Sequence, residues 1–154
     1  MDVVDSATRS RMMAGIRGKD TRPEILVRQT LFAAGFRYRL HRRDLPGAPD
    51  IVMSGRRVAV FVHGCFWHQH EACKFAKLPA SRPEFWANKL KGNVTRDERA
   101  VETLLADHWR VLVVWECATR DPLVFASLHK MMDTWVRGSE ITGQIRGFST
   151  LPDS

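Results

Sequence analysis

Cysteine is scarce in this chain of 154 residues: there are three, an odd number that a closed set of internal disulfides cannot use. That excludes a disulfide-stapled secreted scaffold and favours a reducing compartment in which thiolates serve as ligands. Also missing is any uninterrupted apolar run of membrane-spanning length. The opening Met1-Asp2-Val3-Val4-Asp5-Ser6 has no basic segment followed by an apolar one, so the expectation is a cytoplasmic protein without a membrane partner. Negative charge is in deficit. Lys plus Arg number 24 against 17 for Asp plus Glu, a net charge of +7, which favours polyanions such as nucleic acid over acidic proteins. Charge alone is equally compatible with a solvated basic surface. No internal repeat or linker interrupts the chain, and 44% apolar content at this length suits a single domain with its own core.

Helical and extended segments alternate. Residues 1–20 read as a basic arm without an apolar stripe, and the expectation is that it orders only on binding. Thr21-Arg22-Pro23-Glu24 carries an N-cap, a proline in the first turn and a capping-box glutamate, and Gly35 suits the stop, which predicts a helix over 22–34. Strands are expected at 36–41, 51–53 and 58–62, the last two joined as a hairpin by Ser54-Gly55-Arg56-Arg57. Two helices follow, at 83–91 and 95–108. The run Val111-Leu112-Val113-Val114-Trp115 is apolar on both faces, as in a strand covered on each side, and Asp121-Pro122 opens a helix to about 136. From Gly138 the tail shows no pattern. The expected architecture is an α/β sandwich with a mixed sheet and helices on both faces, divided into an arm (1–20), a domain (21–137) and a tail (138–154).

Residues 63–73 stand apart. Three histidines, two of the three cysteines and a Phe-Trp pair occupy eleven positions directly after an apolar strand. Cys65-x4-His70-x2-Cys73 offers three ligands for a tetrahedral ion, and Cys117, just beyond the strand 111–115, offers a fourth. A closed set of three thiolates and one imidazole is a structural Zn²⁺ site, because no position is left for a substrate water. The competing reading is of ordinary buried thiols and an exposed histidine.

His63 and His68 remain unclaimed and are candidates for acid–base work near neutral pH. The hairpin would bring Asp50 close to Val62 and His63, where a carboxylate, a backbone carbonyl and waters suit Mg²⁺ against a phosphate; a turn residue before a strand explains Asp50 as well. Glu24 is fully explained by a capping box, and Asp97 by the dipole of a helix start. Phe66, Trp67 and Trp86 suit either a core or a wedge that enters a base stack, where unstacking costs roughly a few kcal/mol and least at a poor pair.

Several segments in order resemble the very-short-patch repair (Vsr) endonucleases: Ala7-Thr8-Arg9-Ser10, Leu45-Pro46-Gly47-Ala48-Pro49-Asp50, Val62-His63-Gly64-Cys65-Phe66-Trp67-His68, Glu84-Phe85-Trp86, Asn93-Val94-Thr95-Arg96-Asp97 and Trp109 to Cys117. The resemblance runs over residues 5 to about 137. It implies a restriction-endonuclease-like three-layer sandwich and an enzyme that nicks DNA 5′ to the thymine of a T:G mismatch. It also implies Mg²⁺ at Asp50 and the main chain of Val62, and catalytic histidines at His63 and His68. Glu24 and Asp97 become acidic partners, and Cys65, His70, Cys73 and Cys117 the zinc ligands. Met13 would insert into DNA from the minor groove, with Arg9 and Arg11 near phosphates.

No Asp or Glu lies between Asp50 and Glu71, so the acidic-x-Lys usual in that fold is absent, as in the Vsr variant where histidine chemistry replaces the lysine. Gln69 stands where the family commonly has histidine. The implied partner is double-stranded DNA bearing the mismatch, with other repair proteins as further candidates and a monomer as the expected state. Two alternatives stay open: a related nuclease that cuts paired DNA, and a zinc-stabilised DNA-binding module without catalysis.

Overall fold

The computed structural model describes residues 20–147. Helix α1 (Arg22–Ala33) starts at Thr21, whose hydroxyl accepts the Glu24 amide N–H at 3.4 Å. The capping box closes one residue early, because the Glu24 carboxylate accepts the Asp20 amide N–H, at 2.5 Å, and does not serve Thr21. The helix stops at Gly35, whose φ of +96° is left-handed.

Strand β1 (Arg39–Leu40) is much shorter than the extended stretch expected at 36–41. Phe36 instead plugs the core, and the Tyr38 hydroxyl bonds the Arg28 carbonyl at 2.8 Å. Strands β2 (Ile51–Met53) and β3 (Val58–His63) make the expected hairpin around a short 3-10 turn, with Ile51 opposite Val60.

Helix α2 (Pro83–Ala106) is continuous, running through Gly92, where the sequence suggested separate helices at 83–91 and 95–108. A glycine in a helix interior costs about 1 kcal/mol, a penalty that tertiary contacts outweigh here. Strand β4 (Arg110–Trp115) leads into a short helix α3 (Glu116–Arg120) and then α4 (Pro122–Arg137), where the Asp121 carboxylate caps the Leu123 and Val124 amides.

The segment read as a patternless tail adds β5 (Thr142–Ile145), so the domain extends beyond residue 137. Only Ile145 of β5 is buried, which leaves no alternation for the sequence to display.

The five strands lie in the order β1-β2-β3-β4-β5, antiparallel as far as β3 and parallel from β3 to β5. The period of two splits the core into two layers. Val58, Val60, Leu112 and Val114 pack with Val27 and Leu31 of α1 and with Val124 and Leu128 of α4. Ala59, Phe61, Val111 and Val113 face the other way, towards Leu104 of α2 and the cysteine cluster. Helices therefore cover both faces, in the restriction-endonuclease-like sandwich. The parallel strands β3 and β4 end side by side at His63 and Trp115, and the candidate site gathers there.

Candidate active site and metal centre

Hairpin pairing places Asp50 against β3, where its Oδ2 accepts the Val62 amide N–H at 2.7 Å. Burial pushes the Asp50 carboxyl up from 3.8 to about 6; the Val62 hydrogen bond opposes this and the nearby charge of Glu24 adds to it. Glu24 is only 2% exposed at the start of α1, and His41 Nε2–H donates to its second oxygen. Among the described residues no trio of side-chain ligands includes Asp50. A hard cation there must complete its shell from main chain, water and phosphate, as Mg²⁺ commonly does.

His63 ends β3 and is buried. Its ring stacks on His68, with centroids 3.8 Å apart and planes 4° apart. Burial, then the neighbouring His68 and His70, pulls His63 well below the ordinary imidazole range, so it stays neutral. His68 Nδ1–H donates to Asp97 Oδ2 at 2.6 Å, which fixes the tautomer and leaves Nε2 as the basic atom. Asp97 lies in the interior of α2, not at a helix start, so a helix dipole does not account for it. The unbroken α2 carries this carboxylate to the loop after β3.

A separate group forms behind this pair. Cys65, His70, Cys73 and Cys117 are all buried, with ligand atoms within 4.8 Å of one another. His70 Nδ1 lies 3.6 Å from Cys65 Sγ and 3.5 Å from Cys117 Sγ. A tetrahedral ion with Zn–S of about 2.3 Å and Zn–N of about 2.0–2.1 Å requires an S···N edge of about 3.5 Å, so the donor set fits a metal of this kind. Burial, helped by Arg146, lowers His70 to about 4 and keeps its lone pair available. Bonding from the Cys65 thiol holds Cys117 down at about 6 against burial, with the Gly147 amide also assisting, while Cys65 is pushed up in turn.

The cluster is locked from outside its own loop. Arg146 donates to the carbonyls of Glu71 and Ala72 at 3.0 and 3.2 Å, and the Glu116 carboxylate accepts the Cys65 amide at 3.2 Å. Trp115 joins the two groups: His70 stacks on its face at 3.9 Å, and His63 meets it edge-on at 5.3 Å.

Phe66, Trp67 and Trp86 come together in the lining of a cleft of about 1030 Å³ that Asp50, His63 and His68 also line. Their ring centroids lie 5.1 to 6.1 Å apart in tilted and edge-on pairs. All three are partly exposed, so none is a closed core residue. Asn93 on α2 donates to the Trp67 carbonyl at 3.0 Å and holds this segment to the helix. Arg9, Arg11 and Met13 lie outside the described residues.

Sequence reasoning passed over His41, Arg146 and the structural part of Trp115. His41 sits in a polar, arginine-rich stretch with no motif, and Arg146 in the patternless tail. Trp115 closes an apolar strand and reads as core. In each case the partner is remote in sequence, and only the assembled sheet brings the groups into contact.

The family model for the DNA mismatch endonuclease Vsr matches residues 1–74. The DNA mismatch endonuclease Vsr of Escherichia coli is 42% identical over 146 residues, which cover 94% of this chain and 93% of that protein. A type II nicking enzyme of Xanthomonas oryzae is 48% identical over 120 residues, 78% of this chain and 88% of its own. One from Neisseria meningitidis is 40% identical over 123 residues, with 80% and 87% covered. With a five-stranded mixed sheet, a histidine-lined cleft and likeness along nearly the whole chain, the protein belongs to the Vsr family of DNA mismatch endonucleases.

Proposed function

We propose that this endonuclease nicks duplex DNA on the 5′ side of the thymine in a T:G mispair, by Mg²⁺-dependent hydrolysis of the phosphodiester, and so opens very-short-patch repair. The observation that carries the reading is the shared cleft: Asp50, the stacked His63 and His68 with Asp97, and the aromatic trio line one cavity.

Asp50 and the Val62 main chain would hold Mg²⁺, which when bound would supply positive charge against the charge that develops on the phosphate. His68, held in its tautomer by Asp97, takes the proton of the attacking water at Nε2. As that imidazole becomes cationic, the Asp97 carboxylate stabilises it. The neutral ring of His63 stacks on it without like-charge repulsion and faces the pentacovalent phosphate or the leaving oxygen. Glu24 adds a second carboxylate beside Asp50. Phe66, Trp67 and Trp86 enter the base stack at the mispair, where unstacking is cheapest, and Met13 approaches from the opposite groove with Arg9 and Arg11 on phosphates. Cys65, His70, Cys73 and Cys117 would hold Zn²⁺, which would pin the loop that carries His68 to the end of β3, where His63 sits.

Cleavage of a T:G duplex and its matched T:A counterpart, with and without Mg²⁺, tests this reading. Nicking confined to T:G with Mg²⁺ is expected. Equal cutting of both duplexes would remove the mismatch assignment, and a randomised sequence context around the mispair would then report the preferred flanks.

A further inference from the structure

Beside the cleft, the chain makes a second contact between a histidine and a carboxylate. Glu24 is 2% exposed, and the oxygens of a buried carboxyl group require hydrogen-bond partners. Its Oε2 accepts the Asp20 amide; its Oε1 accepts His41 Nε2–H. His41 is itself clamped. Its backbone N–H donates to the Asp50 carbonyl at 3.0 Å, directly beyond the pairing of Leu40 with Ile51, and its φ of +51° lies in the left-handed region, which few residues other than glycine adopt, histidine among them. One residue therefore bonds the candidate catalytic carboxylate of α1 through its ring and, through its backbone, the candidate metal-binding residue that directly precedes β2. Nothing else among the described side chains bonds Glu24 across to the sheet.

We infer that His41 is a positioning residue for nicking: its Nε2–H fixes the Glu24 carboxylate at a set distance from Asp50, tying the start of α1 to the edge of the sheet on which Asp50 sits. The inference rests on the nicking activity proposed above. An ionised carboxylate can only accept, so the ring must carry its proton on Nε2, and a side-chain amide at the same position can donate in its place. Loss of an outer partner of this kind typically reduces metal affinity or activity by about 10–100-fold.

The test compares His41→Ala, His41→Gln and Glu24→Gln in the full chain, singly and as the His41→Ala/Glu24→Gln double variant. The readouts are the single-turnover nicking rate of a T:G duplex across a Mg²⁺ titration, duplex affinity and Tm. The expected result is a roughly 10–100-fold lower rate or weaker Mg²⁺ dependence for His41→Ala, with duplex affinity unchanged. Much of the rate should return in His41→Gln, and His41→Ala should add little to Glu24→Gln.

Wild-type rates for His41→Ala, equal losses for the alanine and glutamine variants, or additive losses in the double variant would overturn the inference. Should His41→Ala not fold, the rate of His41→Gln decides: near wild type supports the donor, and a loss equal to that of Glu24→Gln overturns it. If the wild-type chain fails to nick, the proposed activity fails on its own. The ¹⁵N imidazole spectrum still decides the contact, since a His41 Nε2–H signal that Glu24→Gln does not move would overturn it.

Discussion

Two histidine-bearing clusters sit at the ends of β3 and β4, joined through Trp115, and they differ in kind. Cys65, His70, Cys73 and Cys117 are all buried and rich in sulfur, and they are held by Arg146 and Glu116 from outside the loop. His63, His68 and Asp97 face the cleft, with His68 and Asp97 each more than a quarter exposed at the side chain. The first group can satisfy an ion completely and so suits scaffolding. The second retains a free imidazole lone pair and room for a reactant. Burial and saturation of the donors, more than residue type, separate a structural site from a chemical one.

Breaking the closed cluster should have the largest effect. If the proposed zinc is bound, Cys117→Ser or a chelator is expected to lower stability by at least about 3–5 kcal/mol, since structural zinc binding is itself folding free energy. Thermal melts with metal analysis would show Tm and nicking falling together. Breaking the open cluster should do the reverse. His68→Ala is expected to lower the nicking rate by about 10²–10⁴-fold while leaving Tm and duplex affinity nearly unchanged. A large fall in Tm for His68→Ala, or activity surviving loss of the metal, would erase the contrast.

Asp50 sharpens the comparison through pH. Its carboxyl is raised to about 6, so without a cation the charged form is a cost to the folded state that is fully present above pH 6 and is relieved as pH falls towards 4. Asp50→Asn should therefore stabilise the metal-free protein at pH 7.5, by on the order of 1–3 kcal/mol, and the gain should shrink to well under about 1 kcal/mol near pH 4. Urea denaturation of both proteins at matched pH would measure it, and a gain that grows on acidification would contradict the sign. The smallest effect belongs to Gly92→Ala. An added Cβ meets only the flexible Arg96 guanidinium, at 3.5 Å, so a gain of about 0.5–1 kcal/mol is expected if α2 is unbroken in solution. A loss in the same melts would restore the two-helix reading.

Much of the candidate metal centre was legible because its ligands are chemically rare and closely spaced: three of the four fall within nine residues, and the fourth follows a recognisable strand. The hairpin that presents Asp50 was legible from alternation and a turn. Asp97 was visible but explained by a helix start, and that explanation fails because α2 continues through Gly92. Strand β5 was invisible, since an edge strand with one buried side chain has no pattern to show.

By itself the sequence determined the α/β class and singled out the set of three thiolates and one imidazole and the candidate histidines, because strand and helix periods and ligand spacing act over a few residues. Only the tertiary structure gave Glu24 its imidazole, His41; the pairing of His68 with Asp97 is implied by the family resemblance, and the structure makes it a direct hydrogen bond. His68 meets Asp97 across 29 positions and His41 meets Glu24 across 17. Contacts of that range depend on how whole elements pack, and local chemistry carries no record of them.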